Sequence, residues 1–137
     1  MARKKEPNKP NPKLYYMLTN IRQPAVAGRF YDDDPGKLRN HLESLFAQAV
    51  DPLTNQNISA VILPHAGFVF SGQVAASGVN QLNPDNHFTT IFLLGASHRM
   101  GFDGASVFRG DAFATPLGEV PVDTEITQNL ATISPFF

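Results

Sequence analysis

Two short, unbroken apolar runs stand out along this chain: Ile58-Ser59-Ala60-Val61-Ile62-Leu63 and Thr90-Ile91-Phe92-Leu93-Leu94. Both are rich in β-branched, aliphatic or aromatic residues, too short for an independent helix, and closed by Pro64 or Gly95. A strand buried on both faces reads this way. Between them Ser71–Leu82 follows a helical repeat, with Ser71 as N-cap and Val74, Ala75, Gly78, Val79 and Leu82 on the inner face. The small residues Ala75, Ala76, Ser77 and Gly78 let this helix pack close to a sheet. Strand, helix and strand over this length predict a βαβ crossover with its two strands parallel.

The rest of the pattern is consistent with that unit. Asp34-Pro35 opens a helix, with the Asp as N-cap and the Pro at the first helical position. Leu38, Leu42, Leu45, Phe46 and Ala49 form its apolar stripe, His41 lies on the flank, and the helix ends before Pro52. Residues 22–31 read as extended, and Asn83-Pro84-Asp85-Asn86 as a turn. Residues 105–108 and 112–115 read as short strands, 119–122 as a further extended piece, and Asp123 as the cap of a last helix stopping at Ser134-Pro135. The predicted fold class is α/β, three-layered, with a mostly parallel central sheet built from βαβ units. Residues 1–20 read as a flexible basic tail, because the stretch is rich in Lys, Pro and Asn and lacks periodicity.

Composition narrows the function. With 137 residues, 42% of them hydrophobic, the chain can build a core as one domain or as part of a larger one. No run of eighteen apolar residues occurs, so no membrane span is expected. A net charge of -1 gives no reason to expect nucleic acid or a membrane surface as partner. The charge is split, +4 over residues 1–13 and -5 over the remainder. Cysteine is absent, which excludes disulfides, zinc-thiolate knots and cysteine nucleophiles within the chain. Leu14–Leu18 is too short for a secretion signal, and a cytoplasmic protein is expected.

The chemistry-bearing feature is the pair His65 and His98. Each follows the end of a predicted buried strand by a few residues, at the carboxyl edge where open α/β sheets hold their ligands. Neutral imidazole is the commonest protein ligand for zinc, iron and copper, so two converging rings point to a metal site. A catalytic site wants a third protein ligand, and a carboxylate from Asp103, Asp111 or Asp123 would make a two-histidine, one-carboxylate set. His41 and His87 read as boundary and solvated residues. Gly67–Gly72 has the glycine spacing that opens a phosphate loop, but Gln73 and Val74 stand where Lys and Ser or Thr are required. The helix start at Ser71-Gly72 could still receive an anionic group. Ser71 or Ser97 with His65 or His98 as base is a weaker alternative, because no G-x-S-x-G elbow is present. Phe30, Tyr31, Phe68 and Phe70 read as core aromatics or the wall of a pocket.

Four ordered motifs carry a family resemblance. They are Arg22…Pro24-Ala25-Val26-Ala27-Gly28…Phe30-Tyr31, Pro64-His65-Ala66-Gly67-Phe68…Ser71-Gly72, Leu94-Gly95…Ser97-His98, and Thr115-Pro116-Leu117-Gly118…Val122-Asp123. Together they resemble the N-terminal half of the Memo family, also called protein B of the AmmeMemoRadiSam system. The resemblance implies a fold similar to the LigB-type class III extradiol dioxygenases, which use non-haem iron to cleave catechol-like rings with dioxygen. It implies that His65 and His98 are metal ligands and that the cofactor is a divalent metal, iron first, with copper or zinc as alternatives. It also implies that residues 21–137 are the N-terminal part of a Memo-like α/β domain, with the C-terminal half, and the third ligand in it, absent. Ala96 and Arg99 depart from the family pattern, which often has proline and, in some relatives, histidine there. The function expected is an oxidative or metal-redox role on an unknown small-molecule substrate. A non-catalytic ligand- or peptide-binding module, or a truncated inactive fragment, is the alternative. An uncovered half-core further predicts marginal stability or self-association through its exposed face.

Overall fold

A computed structural model describes residues 20–53, 58–83, 85 and 87–133. The described residues are α/β: three helices and one small mixed sheet of three strands. They fall into two compact units. The first takes in residues 20–23, 101–114 and 119–133; the second takes in Pro24–Met100 together with Thr115–Gly118.

In the first unit, β1 (Ile21–Arg22) runs parallel to β2 (Ala112–Thr115), with Ile21 opposite Ala112 and Arg22 opposite Phe113. β3 (Gly118–Pro121) follows β2 after only Pro116-Leu117 and completes the order β1-β2-β3. Asp111 fastens this sheet. Its N–H donates to the Asn20 carbonyl at 2.9 Å, its carboxylate accepts from the Asn20 N–H at 2.6 Å, and its carbonyl accepts from the Val122 N–H at 2.9 Å. Phe108 stacks at a tilt on Phe113, and the Arg22 guanidinium lies 5.7 Å from the Phe113 ring centre. Gly110 is buried where a Cβ would overlap the Phe108 ring and the Asn20 carbonyl oxygen. The last helix, α3 (Thr124–Thr132), is capped by Asp123, whose Oδ1 accepts from the Ile126 N–H at 3.0 Å. The sequence predicted that cap. Residues 105–108, expected as a strand, form none, whereas 112–115 do.

The second unit is helical. Its first helix, α1 (Pro35–Ala47), starts as the sequence predicts: Asp34 Oδ1 accepts from the Lys37 N–H at 2.8 Å and Pro35 holds the first helical position. Leu38 is buried, Leu42 and Leu45 are half-buried, and Phe46 at the end of the stripe is exposed. The second helix, α2 (Phe68–Val79), packs against α1. Its buried face is Ser71, Gly72 and Ala76. A Cβ on Gly72 would stand 3.0 Å from Leu45 Cδ1, and Gln73 Nε2 donates to the Leu45 carbonyl at 3.1 Å. The small residues thus serve the α1–α2 contact, while Gly78 makes room for Leu63. Asn80 and Gln81 donate to the Val50 carbonyl and tie the exit of α1 to the end of α2.

Three sequence expectations need correction here. Ser71 is not the N-cap of α2: the helix begins three residues earlier behind Gly67, and the Ser71 hydroxyl donates back to the Ala66 carbonyl at 3.1 Å. The runs 58–63 and 90–94 form no strand. Their composition is that of buried strands, but no backbone hydrogen bond reaches them from any described residue. A strand exists only as a member of a ladder. Among the described residues the parallel strand pair is instead β1 with β2, and no βαβ unit forms within 58–95. The reading of residues 1–19 as a flexible tail falls outside the described residues, as does the stop at Ser134-Pro135.

Candidate paired-histidine site

The site lies wholly in the second unit, and the turn 25–31 holds the chain just after His65. The Val26 carbonyl accepts from the Arg29 and Phe30 N–H groups, and the Gly28 N–H donates to the Tyr31 carbonyl at 2.8 Å. Gly28 takes φ +75, a left-handed conformation that favours glycine. This turn presents the Phe30 carbonyl to the Phe68 N–H, 2.8 Å away, and so receives one of the free N–H groups at the start of α2. Gly67 lies close against this turn: a Cβ there would stand in van der Waals contact, 3.4 Å from Phe30 Cα and from the Phe30 carbonyl oxygen. Tyr31 packs against Phe68 with ring centres 5.6 Å apart. The P-H-A-G-F stretch is therefore pinned on its Gly-Phe side, and His65 precedes the pinned point by two residues.

His98 is set by a tight turn of its own. Ser97 Oγ donates to the Met100 carbonyl at 2.6 Å and accepts from the Met100 N–H at 3.3 Å. The structure brings the two histidines together: Nε2 of His65 and Nε2 of His98 lie 3.0 Å apart, with ring centres at 5.2 Å and planes tilted by 50°. Both side chains are exposed. The two Nε2 atoms are within hydrogen-bond distance of each other, with the donor set by the tautomers.

The spacing of the two nitrogens bears on which metal geometry they could serve. Two nitrogens 3.0 Å apart, each about 2.0–2.1 Å from one ion, subtend roughly 90–97° at that ion. A tetrahedral pair with the same bond lengths needs a separation of about 3.3–3.4 Å. That separation would suit two adjacent positions on a six-coordinate ion better than two corners of a tetrahedron. Two imidazoles fit a divalent first-row metal.

The other candidates have different roles. Ser71 and Ser97 both spend their hydroxyls on backbone groups, which leaves neither paired with a histidine. Of the carboxylates, all in the first unit, Asp111 is bonded to Asn20, Asp123 caps α3, and Asp103 sits in a bend before Gly104. Among the described residues, no group of three or more His, Asp or Glu is placed to hold a metal ion. His87 is exposed. His41 has a partner that the sequence did not reveal: its Nδ1 lies 3.6 Å from Asp32 Oδ2, and its ring meets Phe68 edge-on at 5.8 Å. The signal for it was weak, an acidic residue in the turn nine positions earlier. Phe68 is the only one of the four flagged aromatics that touches both Tyr31 and His41 among the described residues; Phe70 is exposed.

The described residues are α/β, with an apolar run on either side of one helix and a histidine after each run. The family model for Memo-like protein matches residues 22–137, and the chain belongs to that family. It is 38% identical over 114 residues to a MEMO1 family protein of Methanothermobacter thermautotrophicus, covering 79% of this chain and 41% of that relative. It is 34% identical over 124 residues to one of Sulfolobus acidocaldarius (83% and 44%) and 35% identical over 114 residues to one of Thermococcus onnurineus (83% and 39%). The chain thus spans about two fifths of the length of the curated relatives it matches.

Proposed function

We propose that this chain carries two ligands of a divalent-metal site, His65 and His98, and that the whole domain of which it represents a part has an oxidative or metal-redox role. The observation that carries this reading is the 3.0 Å separation of the two Nε2 atoms, which suits adjacent positions on a six-coordinate ion. By the family resemblance iron is the first candidate, with copper and zinc as alternatives. A bound iron would supply oxidative chemistry toward a small, catechol-like substrate, as the family's likeness to LigB-type extradiol dioxygenases implies. The chain's own residues hold and orient: the Phe30 carbonyl and Gly67 fix the start of α2 behind His65, and the Ser97–Met100 turn fixes His98. The third ligand is assigned to the part of the domain that relatives carry beyond the matched stretch. In that whole domain, runs 58–63 and 90–95 are strands of a three-layer, mostly parallel sheet. No described helix is long and apolar enough to cross a membrane, and a cytoplasmic location is proposed.

A second reading has its own support. With no third carboxylate or imidazole beside the pair among the described residues, this chain by itself would bind a metal or small ligand without turnover. Anaerobic titration with ferrous iron, followed by calorimetry, tests the site. A saturable event that weakens at least tenfold in both His65→Ala and His98→Ala is expected. An isotherm unchanged by either substitution would reject the metal site. Metal-dependent dioxygen uptake with catechol, measured on this chain and on a full-length relative, separates the two readings: uptake by the relative alone favours the non-catalytic one for this chain.

A further inference from the structure

Charge is distributed unevenly around the paired histidines. From Pro52 to Pro84 no Asp, Glu, Lys or Arg occurs, and from Asn86 to Phe102 Arg99 is the only one. The first stretch carries His65 and α2; the second carries His98. Arg99 directly follows His98, so its Cα stands about 3.8 Å from that of the histidine. It lies inside the turn that Ser97 closes with its two bonds to Met100, and its side chain is exposed. Among the described residues no carboxylate forms an ion pair with it. The other cations of this unit, Arg29, Lys37 and Arg39, share a short stretch of chain with Asp32, Asp33, Asp34 and Glu43. Arg99 has no such company.

We infer that Arg99 is a specificity-determining residue of the paired-histidine site, and that the site takes a small molecule whose carboxylate the guanidinium receives. This role rests on the reading of His65 and His98 as metal ligands. Two neutral imidazoles leave the charge of a divalent ion uncompensated, and a neighbouring guanidinium adds a like charge. Among the described residues no third carboxylate joins the pair, so a ligand's own anion is the group that offsets both cations. Arginine suits that task. It stays charged at every working pH, and its planar fork of donors matches the two oxygens of a carboxylate. A ligand held there by its carboxylate keeps its remaining oxygen donors for the ion. A neutral ligand would leave the guanidinium to water and the like charges unrelieved.

The probes are caffeate and its primary amide, which share a ring and both hydroxyls and differ in the negative charge. Titrated anaerobically into the ferrous-loaded chain at low salt, the acid is expected to bind at least about tenfold more tightly than the amide. Arg99→Gln should bring the two affinities together while far-ultraviolet dichroism stays unchanged. Arg99→Lys should keep part of the preference. Arg39→Gln on α1 makes the same change in net charge and should keep all of it. Added salt should narrow the preference in the parent, because the guanidinium is exposed. Equal binding of the two probes with iron bound, or a preference that survives Arg99→Gln, overturns the role of Arg99 and leaves the metal site standing. A chain that takes up no iron yet keeps an Arg99-dependent preference overturns the metal reading and retains Arg99 as the carboxylate receptor. Loss of both overturns both.

Discussion

Gly72 offers a sharp test of the α1–α2 packing that holds the start of α2, and with it His65, in place. The residue is buried on the face of α2 that meets α1, and a Cβ built there would stand 3.0 Å from Leu45 Cδ1 and 3.3 Å from Phe68 Cβ. Both separations are shorter than ordinary van der Waals contact, about 3.5–4.0 Å between carbons. For Gly72→Ala two effects oppose each other. Alanine in place of glycine within a helix favours folding by about 1 kcal/mol. The methyl must displace the Leu45 end group, a half-buried side chain free to turn outward. The net change is expected to stay within about 1 kcal/mol of zero. Gly72→Val removes that balance. It adds two further methyls to the same gap and carries a poorer helix propensity, so a destabilisation of about 1–3 kcal/mol is expected. Urea unfolding followed by dichroism at the helical band gives both numbers under identical conditions. A Gly72→Val protein as stable as the parent would refute the close approach of the two helices. A Gly72→Ala protein destabilised by several kcal/mol would show that Leu45 cannot move.

Other substitutions probe separate parts of the account. Asp34→Ala and Asp123→Ala each remove a side-chain cap and should cost about 1 kcal/mol by thermal melting, with Asn restoring most of it. Gly28→Ala places a Cβ on a backbone at φ +75 and 3.2 Å from Asp33 Oδ2, so a loss of roughly 1–2 kcal/mol is expected in the same melt. The chain alone should self-associate with rising concentration in sedimentation velocity, and Ile62→Lys should suppress this without lowering helix content. The half-exposed Asp32–His41 pair is expected to contribute no more than about 0.5 kcal/mol in a double-mutant cycle with Asn and Ala.

Local signals in the sequence located what is local in the fold. The Asp34-Pro35 and Asp123 caps were legible because a helix start is fixed by residues within one turn of it. The start of α2 was not, because its first free N–H is received by the Phe30 carbonyl, 38 positions earlier, rather than by a side chain close at hand. The hydroxyl of Ser71 that resembled a cap is occupied by the Ala66 carbonyl. The parallel pairing of Ile21-Arg22 with Ala112-Phe113 joins segments some ninety residues apart, a relation that no short window can hold. For 58–63 and 90–94 the composition expresses burial, but burial needs a covering partner, and the described residues supply none. The meeting of His65 and His98 was legible for a different reason. Each follows the end of an apolar run on opposite sides of one helix, and the two rings meet although the runs form no strands.

The central claim is that both imidazoles grip one ion. X-ray absorption at the iron edge of the ferrous-loaded protein reads this directly, through the outer-shell scattering peculiar to imidazole rings. Two imidazoles at about 2.1 Å in the parent, falling to one in His65→Ala and to one in His98→Ala, are predicted. A coordination shell without imidazole, or one that neither substitution changes, would contradict it.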